Sequence, residues 1–161
     1  YTFVSMAAFG LNNALISIVA YNLGTRKTDR IKQAVKLSGI YSAFIGFVGL
    51  IILQIFPGQI MMAFHASDTM TAMGITALRI TSISFVFACV SIMACYALQG
   101  LSIGIPSMII SAARQVIILL PAAYFLGKIF QVTGVWMAFP ITEIIVAFIA
   151  CIYLGRTLRK L

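Results

Sequence analysis

Between Gly10 and Lys36 the chain reads GLNNALISIVAYNLGTRKTDRIKQAVK, an apolar run that turns abruptly basic at Arg26, Lys27, Arg30, Lys32 and Lys36. One end of this stretch suits hydrocarbon and the other suits water, so the junction marks a membrane boundary. Further apolar runs fill most of the remaining chain. Of 161 residues, 62% are hydrophobic and 9% charged, against about 25% charged in an ordinary soluble domain. A water-soluble fold has no place to bury that much apolar surface. A spanning helix needs about 20 apolar residues, so the expected fold is an all-α membrane protein with five transmembrane helices.

The spans are expected at about residues 3–23, 34–56, 69–98, 106–127 and 135–155. Gly24 is expected to stop the first. Gly10 and Ala14, one turn apart, and the Ser38, Ser42, Gly46 series mark stripes where a neighbouring helix backbone can approach closely. Pro57-Gly58 ends the second span and leads into GQIMMAFHASD, too short to cross and expected as an interfacial turn of helix, with Ser67 or Asp68 capping the next helix. Arg79 is expected to snorkel at the outer boundary. Pro121 should bend the fourth span, because its ring removes a backbone hydrogen bond. Gly127 to Gly134 reads as a short loop.

The net charge of +8 sits at the ends of apolar runs and forms no separate basic segment, which argues against a nucleic-acid partner. Arg26, Lys27, Arg30, Lys32, Lys36, Arg156, Arg159 and Lys160 fall on one side of the bilayer, and Lys128 alone lies in a loop on the other. The positive-inside rule makes the first side cytoplasmic, placing Tyr1 outside and the C-terminus inside a multi-pass protein of the plasma membrane. The opening YTFVSMAAFG lacks a charged n-region and runs into a full span, so it does not read as a signal peptide. Starting in mid-pattern without Met, the sequence is expected to be part of a longer chain. Cys89, Cys95 and Cys151 lie inside apolar stretches without metal-ligand spacing, and no metal site or disulfide is expected.

Glu143 is the only carboxylate inside a span, where a charge costs on the order of 3 kcal/mol on insertion scales; an intramembrane ionisable group is a functional candidate by default. Three readings stand open for it: a structural ion pair with Arg114 or hydrogen bond to a neighbouring backbone, a proton- or substrate-linked role, or a protonated acid facing lipid. Measured from the cytoplasmic ends of their helices, Arg114 lies about 12 Å deep and Glu143 about 18 Å deep, so a long arginine can close the gap if the fourth and fifth helices are neighbours. Asn12 and Asn13 are further cavity candidates, although they point about 100° apart and only one can face a given partner. His65 has no second ligand beside it and is expected to be solvated. No nucleophile–base pair, phosphate loop or metal-ligand cluster stands out, and no enzyme chemistry or resident cofactor is expected.

Four stretches, taken in order, resemble the multidrug and toxic compound extrusion (MATE) family. They are the N-x-G turn with its basic loop after the first span, F-P-x-x-I-M-x-x-F at Phe56 to Phe64, Q-G-x-x-x-G-x-P at Gln99 to Pro106 followed by Arg114-Gln115, and G-V-W-x-A-F-P-I-T-E at Gly134 to Glu143. The resemblance implies one lobe of a twelve-helix antiporter, here helices eight to twelve. Its partners would be the lipid bilayer and the N-terminal lobe. It would export small lipophilic or cationic compounds against inward Na+ or H+. Some branches of the family carry cation-binding carboxylates on the first and fourth helices of this lobe. The first of these helices is absent here, and the span at 69–98 has no acid beyond Asp68 at its tip, which leaves the coupling carboxylate in the missing lobe or at Glu143. The alternatives are a lipid-linked oligosaccharide flippase of the same superfamily, for which several deep arginines would be expected, and a non-transporting membrane scaffold subunit.

Overall fold

The structure, a computed structural model, describes residues 2–63 and 68–161. Every regular element is helical: α1 (Thr2–Gly24), α2 (Thr28–Ile55), α3 (Pro57–Ala63), α4 (Asp68–Ser82), α5 (Ser84–Gly100), α6 (Gly104–Ala112), a π-helical segment (Ala113–Leu119) and α7 (Leu120–Arg159). His65 and the Ser67–Asp68 cap lie outside the residues whose side chains are described.

The sequence SFVFACVSIMACYALQG makes α5 the hub. Its small Ser, Ala and Cys residues let neighbouring backbones approach on several sides, and twelve of its 17 residues are buried. Packed around it are α1, α2 and α7. From α1 come Leu15 and Val19, from α2 Ile31 and Val35, from α7 Ala150 and Leu154, all meeting Met93, Ala97 and Leu98 of α5 in one cluster. Leu23, Ile103 and Leu158 close that cluster. The end of α1, the start of α2, the α5–α6 turn and the end of α7 therefore lie together, and Arg26, Lys27, Arg30, Arg156 and Arg159 gather at that one end.

On α1 the inward face is Asn12, Leu15 and Val19, while Gly10 and Ala14 are exposed. A side chain at Gly10 would meet nothing within 4 Å, so no close helix approach is made there. In α2 the expected stripe does pack: Ser42 and Gly46 are buried, and a methyl group on Gly46 would lie 2.7 Å from the Phe85 carbonyl oxygen and Val86 Cα of α5. The terminator of α1 is not Gly24. Arg26 takes the left-handed conformation (φ 55°), and Lys27 N–H donates to the Asn22 carbonyl at 2.9 Å while Arg26 N–H donates to that of Leu23 at 3.1 Å. This is a Schellman ending with a non-glycine residue in the glycine position. Ser102 (φ 62°) ends α5 in the same way.

The expected single span at 69–98 is two helices, bent by 45° between Ser82 and Ser84. Three hydroxyls explain the bend: Thr81 Oγ1 donates to the Ala77 carbonyl at 2.7 Å, Ser82 Oγ to Arg79 at 2.9 Å and Ser84 Oγ to Thr81 at 2.6 Å. Such back-bonding competes with the helix ladder and bends it. From α2, Gln54 Nε2 reaches across and donates to the Arg79 carbonyl at 3.0 Å, satisfying an acceptor at the break. The Arg79 side chain is exposed.

Residues 104–159 form 56 consecutive residues of helical character, about 84 Å if straight. They are not straight. Pro121 cannot donate to the Ile117 carbonyl, and the ladder before it widens into the π-helical segment, so the irregularity expected at Pro121 takes the form of a change of helix type just ahead of it. Gly127 to Gly134, expected as a loop, is helical apart from Gln131, whose φ of 54° and ψ of −136° break α7. The chain reverses there: any side chain at Gly134 would collide with the Leu126 carbonyl, eight residues earlier. Each limb of the resulting hairpin exceeds the about 20 residues of a crossing. By length and composition α2 and this run can cross a membrane, as can α4 with α5 taken as one bent span; α1, with 23 residues, is about 35 Å long.

Candidate functional site: an intramembrane ion pair beside α5

The hairpin at Gln131 brings the π-helical segment against the second limb of α7. Arg114 and Glu143, 29 positions apart in the chain, thereby meet: Arg114 Nη1 lies 3.6 Å from Glu143 Oε2, with side chains 20% and 8% exposed. Ala147 and Ala150, one and two turns further along the same face, are buried, so Glu143 points into packed protein. Ser91 of α5 supplies the third member, its Oγ 3.4 Å from Glu143 Oε2 and 3.0 Å from the Ala88 carbonyl. With one hydroxyl proton, Ser91 donates to one acceptor at a time.

Beside the pair is a cavity of about 60 Å3 lined by Arg114, Gln115, Leu119, Phe139, Thr142 and Glu143. Arg114 Nε and Thr142 Oγ1 are buried there without a hydrogen-bond partner. A space of this size is large enough for a water molecule, which needs only about 10–15 Å3 on this measure and at least two polar partners such as these two atoms. Arg114 is placed in the widened backbone ahead of Pro121, a type of helix irregularity concentrated at functional sites. The sequence pattern points to Arg114 and Glu143 but misses Ser91 and Thr142. Thr142 was within reach, being adjacent to Glu143; Ser91 carried no signal beyond a hydroxyl in a small-residue helix.

The asparagines are not part of this constellation. Asn12 is completely buried on the inner face of α1, and neither its Nδ2 nor its Oδ1 has a hydrogen-bond partner. Asn13 is exposed on the other side of the helix. At the basic end, Gln99 Nε2 donates to Ser107 Oγ at 3.0 Å and Ser107 Oγ to the Cys95 carbonyl at 3.0 Å, tying α6 to α5.

An apolar helical bundle that sequesters an arginine–carboxylate pair is the construction of a multi-pass membrane protein, in which intramembrane charges face the bundle interior and pair with one another. The MatE family model matches residues 1–125, and the chain belongs to that family. It is 24% identical over 148 residues to the multidrug export protein MepA of Staphylococcus haemolyticus, covering 92% of this chain and 32% of that protein. Among solved structures, a ligand complex of the MATE multidrug transporter DinF-BH superposes with a TM-score of 0.88 at 28% identity, over 96% of this chain and 35% of that one. An inward-facing multidrug resistance MATE transporter of the MOP superfamily superposes with a TM-score of 0.93 at 18% identity, over 99% and 37% respectively. The chain spans about a third of the length of these relatives.

Proposed function

We propose that these helices are part of the C-terminal lobe of a secondary active multidrug efflux antiporter, driven by inward Na+ or H+ and working by alternating access against an N-terminal lobe. The observation that carries this reading is the match to the MatE family model over residues 1–125. The exported compounds are small, lipophilic or cationic, a reading supported by the likeness to multidrug transporters. The protein sits in a bacterial cytoplasmic membrane with the basic end of the bundle inside and the start of α1 on the outer side, an orientation supported by the gathering of Arg26, Lys27, Arg30, Arg156 and Arg159 at one end.

Within that scheme the pair acts as a latch. A cation approaching Glu143 is repelled by the Arg114 guanidinium at 3.6 Å, so Glu143 accepts Na+ or H+ only after the two separate. Separation moves the π-helical segment relative to the second limb of α7, which couples cation entry to a change in lobe shape. The flippase alternative draws no support from this geometry: Arg114, the one deep arginine among the described residues, is already neutralised by Glu143.

Proteoliposomes carrying the full-length transporter test the proposal. With a Na+ or H+ gradient imposed, the lipophilic cation tetraphenylphosphonium should move against the cation flux and stop when the gradient is collapsed. Gradient-independent movement, or none for any lipophilic cation, would overturn it.

A further inference from the structure

The turn between α1 and α2 carries a groove that the latch does not use. Its volume is about 400 Å3, within the range of sites that hold a small-molecule group. Lys27, Arg30 and Gln33 line its upper part, Ile18 and Leu37 its lower part, with Tyr21 alongside. Neither the Lys27 nor the Arg30 side chain has an ion-pair or hydrogen-bond partner among the described residues. Asp29, the acid next to them in sequence, does not line the groove.

The gradation from charge to hydrocarbon runs along the membrane normal. Ile18 lies six positions before the end of α1 and Leu37 nine after the start of α2, so the groove descends about 9–14 Å along the two helices. The headgroup layer of one leaflet is roughly 5–8 Å thick. A ligand seated here has its charge among the headgroups and its lower part among acyl chains. Ile18, Leu37 and Tyr21 are 48%, 51% and 70% exposed, and a free inorganic anion would leave all three uncovered. A phospholipid covers them.

We propose that this groove binds a single anionic phospholipid. Its phosphate-bearing headgroup sits between Lys27 and Arg30, its glycerol region meets Gln33 and the Tyr21 hydroxyl, and its first methylenes lie on Ile18 and Leu37. Basic pockets between spanning helices have the chemistry for acidic headgroups. The bilayer supplies the ligand beside the site, and the assignment is independent of the coupling chemistry at Glu143.

Native mass spectrometry of the full-length transporter, taken from mixed phosphatidylglycerol and phosphatidylcholine micelles, tests the site. The parent protein should retain one phosphatidylglycerol in preference to phosphatidylcholine. Each basic group near a membrane surface contributes roughly fivefold, so Lys27→Gln with Arg30→Gln should lower that preference about 25-fold. Leu37→Trp fills the lower groove without touching the charges and should also reduce retention. Inorganic phosphate should not displace the lipid. Unchanged preference in the double variant overturns the proposal. So does loss with Lys27→Gln and Arg30→Gln but none with Leu37→Trp, the signature of diffuse surface attraction, and so does displacement by phosphate, the signature of a small-anion site.

Discussion

Replacing Arg114 with methionine leaves the Glu143 carboxylate, 8% exposed, without the cation that stands 3.6 Å away. At that separation the attraction between unit charges is about 4–5 kcal/mol for an effective dielectric constant of about 20. Removing water from both groups opposes it by several kcal/mol. The two effects nearly cancel when the intact pair is compared with an apolar pair of similar size, but they do not cancel when one partner is deleted, because the remaining charge keeps its desolvation cost. Arg114→Met is therefore expected to destabilise the transporter by about 3–5 kcal/mol, and Arg114→Met with Glu143→Leu to lie within about 1 kcal/mol of the parent. Equilibrium unfolding of the full-length protein in mixed micelles, for the parent, both single variants and the double, gives the coupling energy directly. A coupling of at least about 2 kcal/mol is expected, larger by whatever Glu143→Leu alone costs. Effects that add to within about 0.5 kcal/mol, the usual result for independent sites, would refute the idea that the pair is a sequestered unit.

Asn12→Leu removes two buried amide atoms that have no partner and should raise stability by about 1–3 kcal/mol, read as the melting temperature. Gly46→Ala places a methyl group 2.7 Å from the backbone of Phe85 and Val86 and should cost about 1–3 kcal/mol. Gly39→Ala meets only the flexible Met93 Cε at 3.2 Å and should be close to neutral in the same melt. Gln131→Gly relieves a residue at φ 54° and ψ −136°, a conformation that costs a non-glycine residue about 1–3 kcal/mol, and should raise the unfolding midpoint, whereas Gly134→Ala should prevent the hairpin from closing and abolish folded expression. Gln54→Leu should cost about 1 kcal/mol by freeing the Arg79 carbonyl, seen as faster hydrogen exchange around Ser82.

The sequence was most legible where single-residue physics leaves no choice. Apolar runs bounded by basic residues are helices that cross lipid, and two ionisable side chains inside such runs at comparable depth have few partners besides each other; Arg114 and Glu143 meet for that reason. What was hidden depends on how backbones compete. Thr81, Ser82 and Ser84 are each ordinary in a helix, and the 45° bend arises because all three bond backward within one turn. Gly24 was the obvious helix stop, yet the left-handed position falls two residues later at Arg26, where the chain must turn to bring Ile31 of α2 back onto the core. Gly134 read as loop material, but its lack of a side chain is used for contact with the Leu126 carbonyl.

Those hidden irregularities position the site. An unbroken helix from Gly104 to Arg159 would place Arg114 and Glu143 about 44 Å apart; the reversal at Gln131 is what makes the pair possible. The π-helical register sets which way Arg114 faces, since one extra residue per turn rotates everything on one side of the segment relative to the other. The bend at Ile83 lets α5 run beside α7 with Ser91 at the level of Glu143, and Gly46 lets α2 hold α5 there from behind. A substitution that restored regular α-helix through residues 113–119 should thus act on Glu143 without touching it. Pro121→Ala returns the missing donor to the Ile117 carbonyl and is expected to stabilise the isolated helix by about 3 kcal/mol. In the transporter it should turn Arg114 away, lower the coupling energy between Arg114 and Glu143 towards zero in the same double-variant cycle, and slow cation-driven export. Full coupling in the Pro121→Ala background would mean that the pair is held by helix packing alone and that the π-helical segment has no part in aiming it.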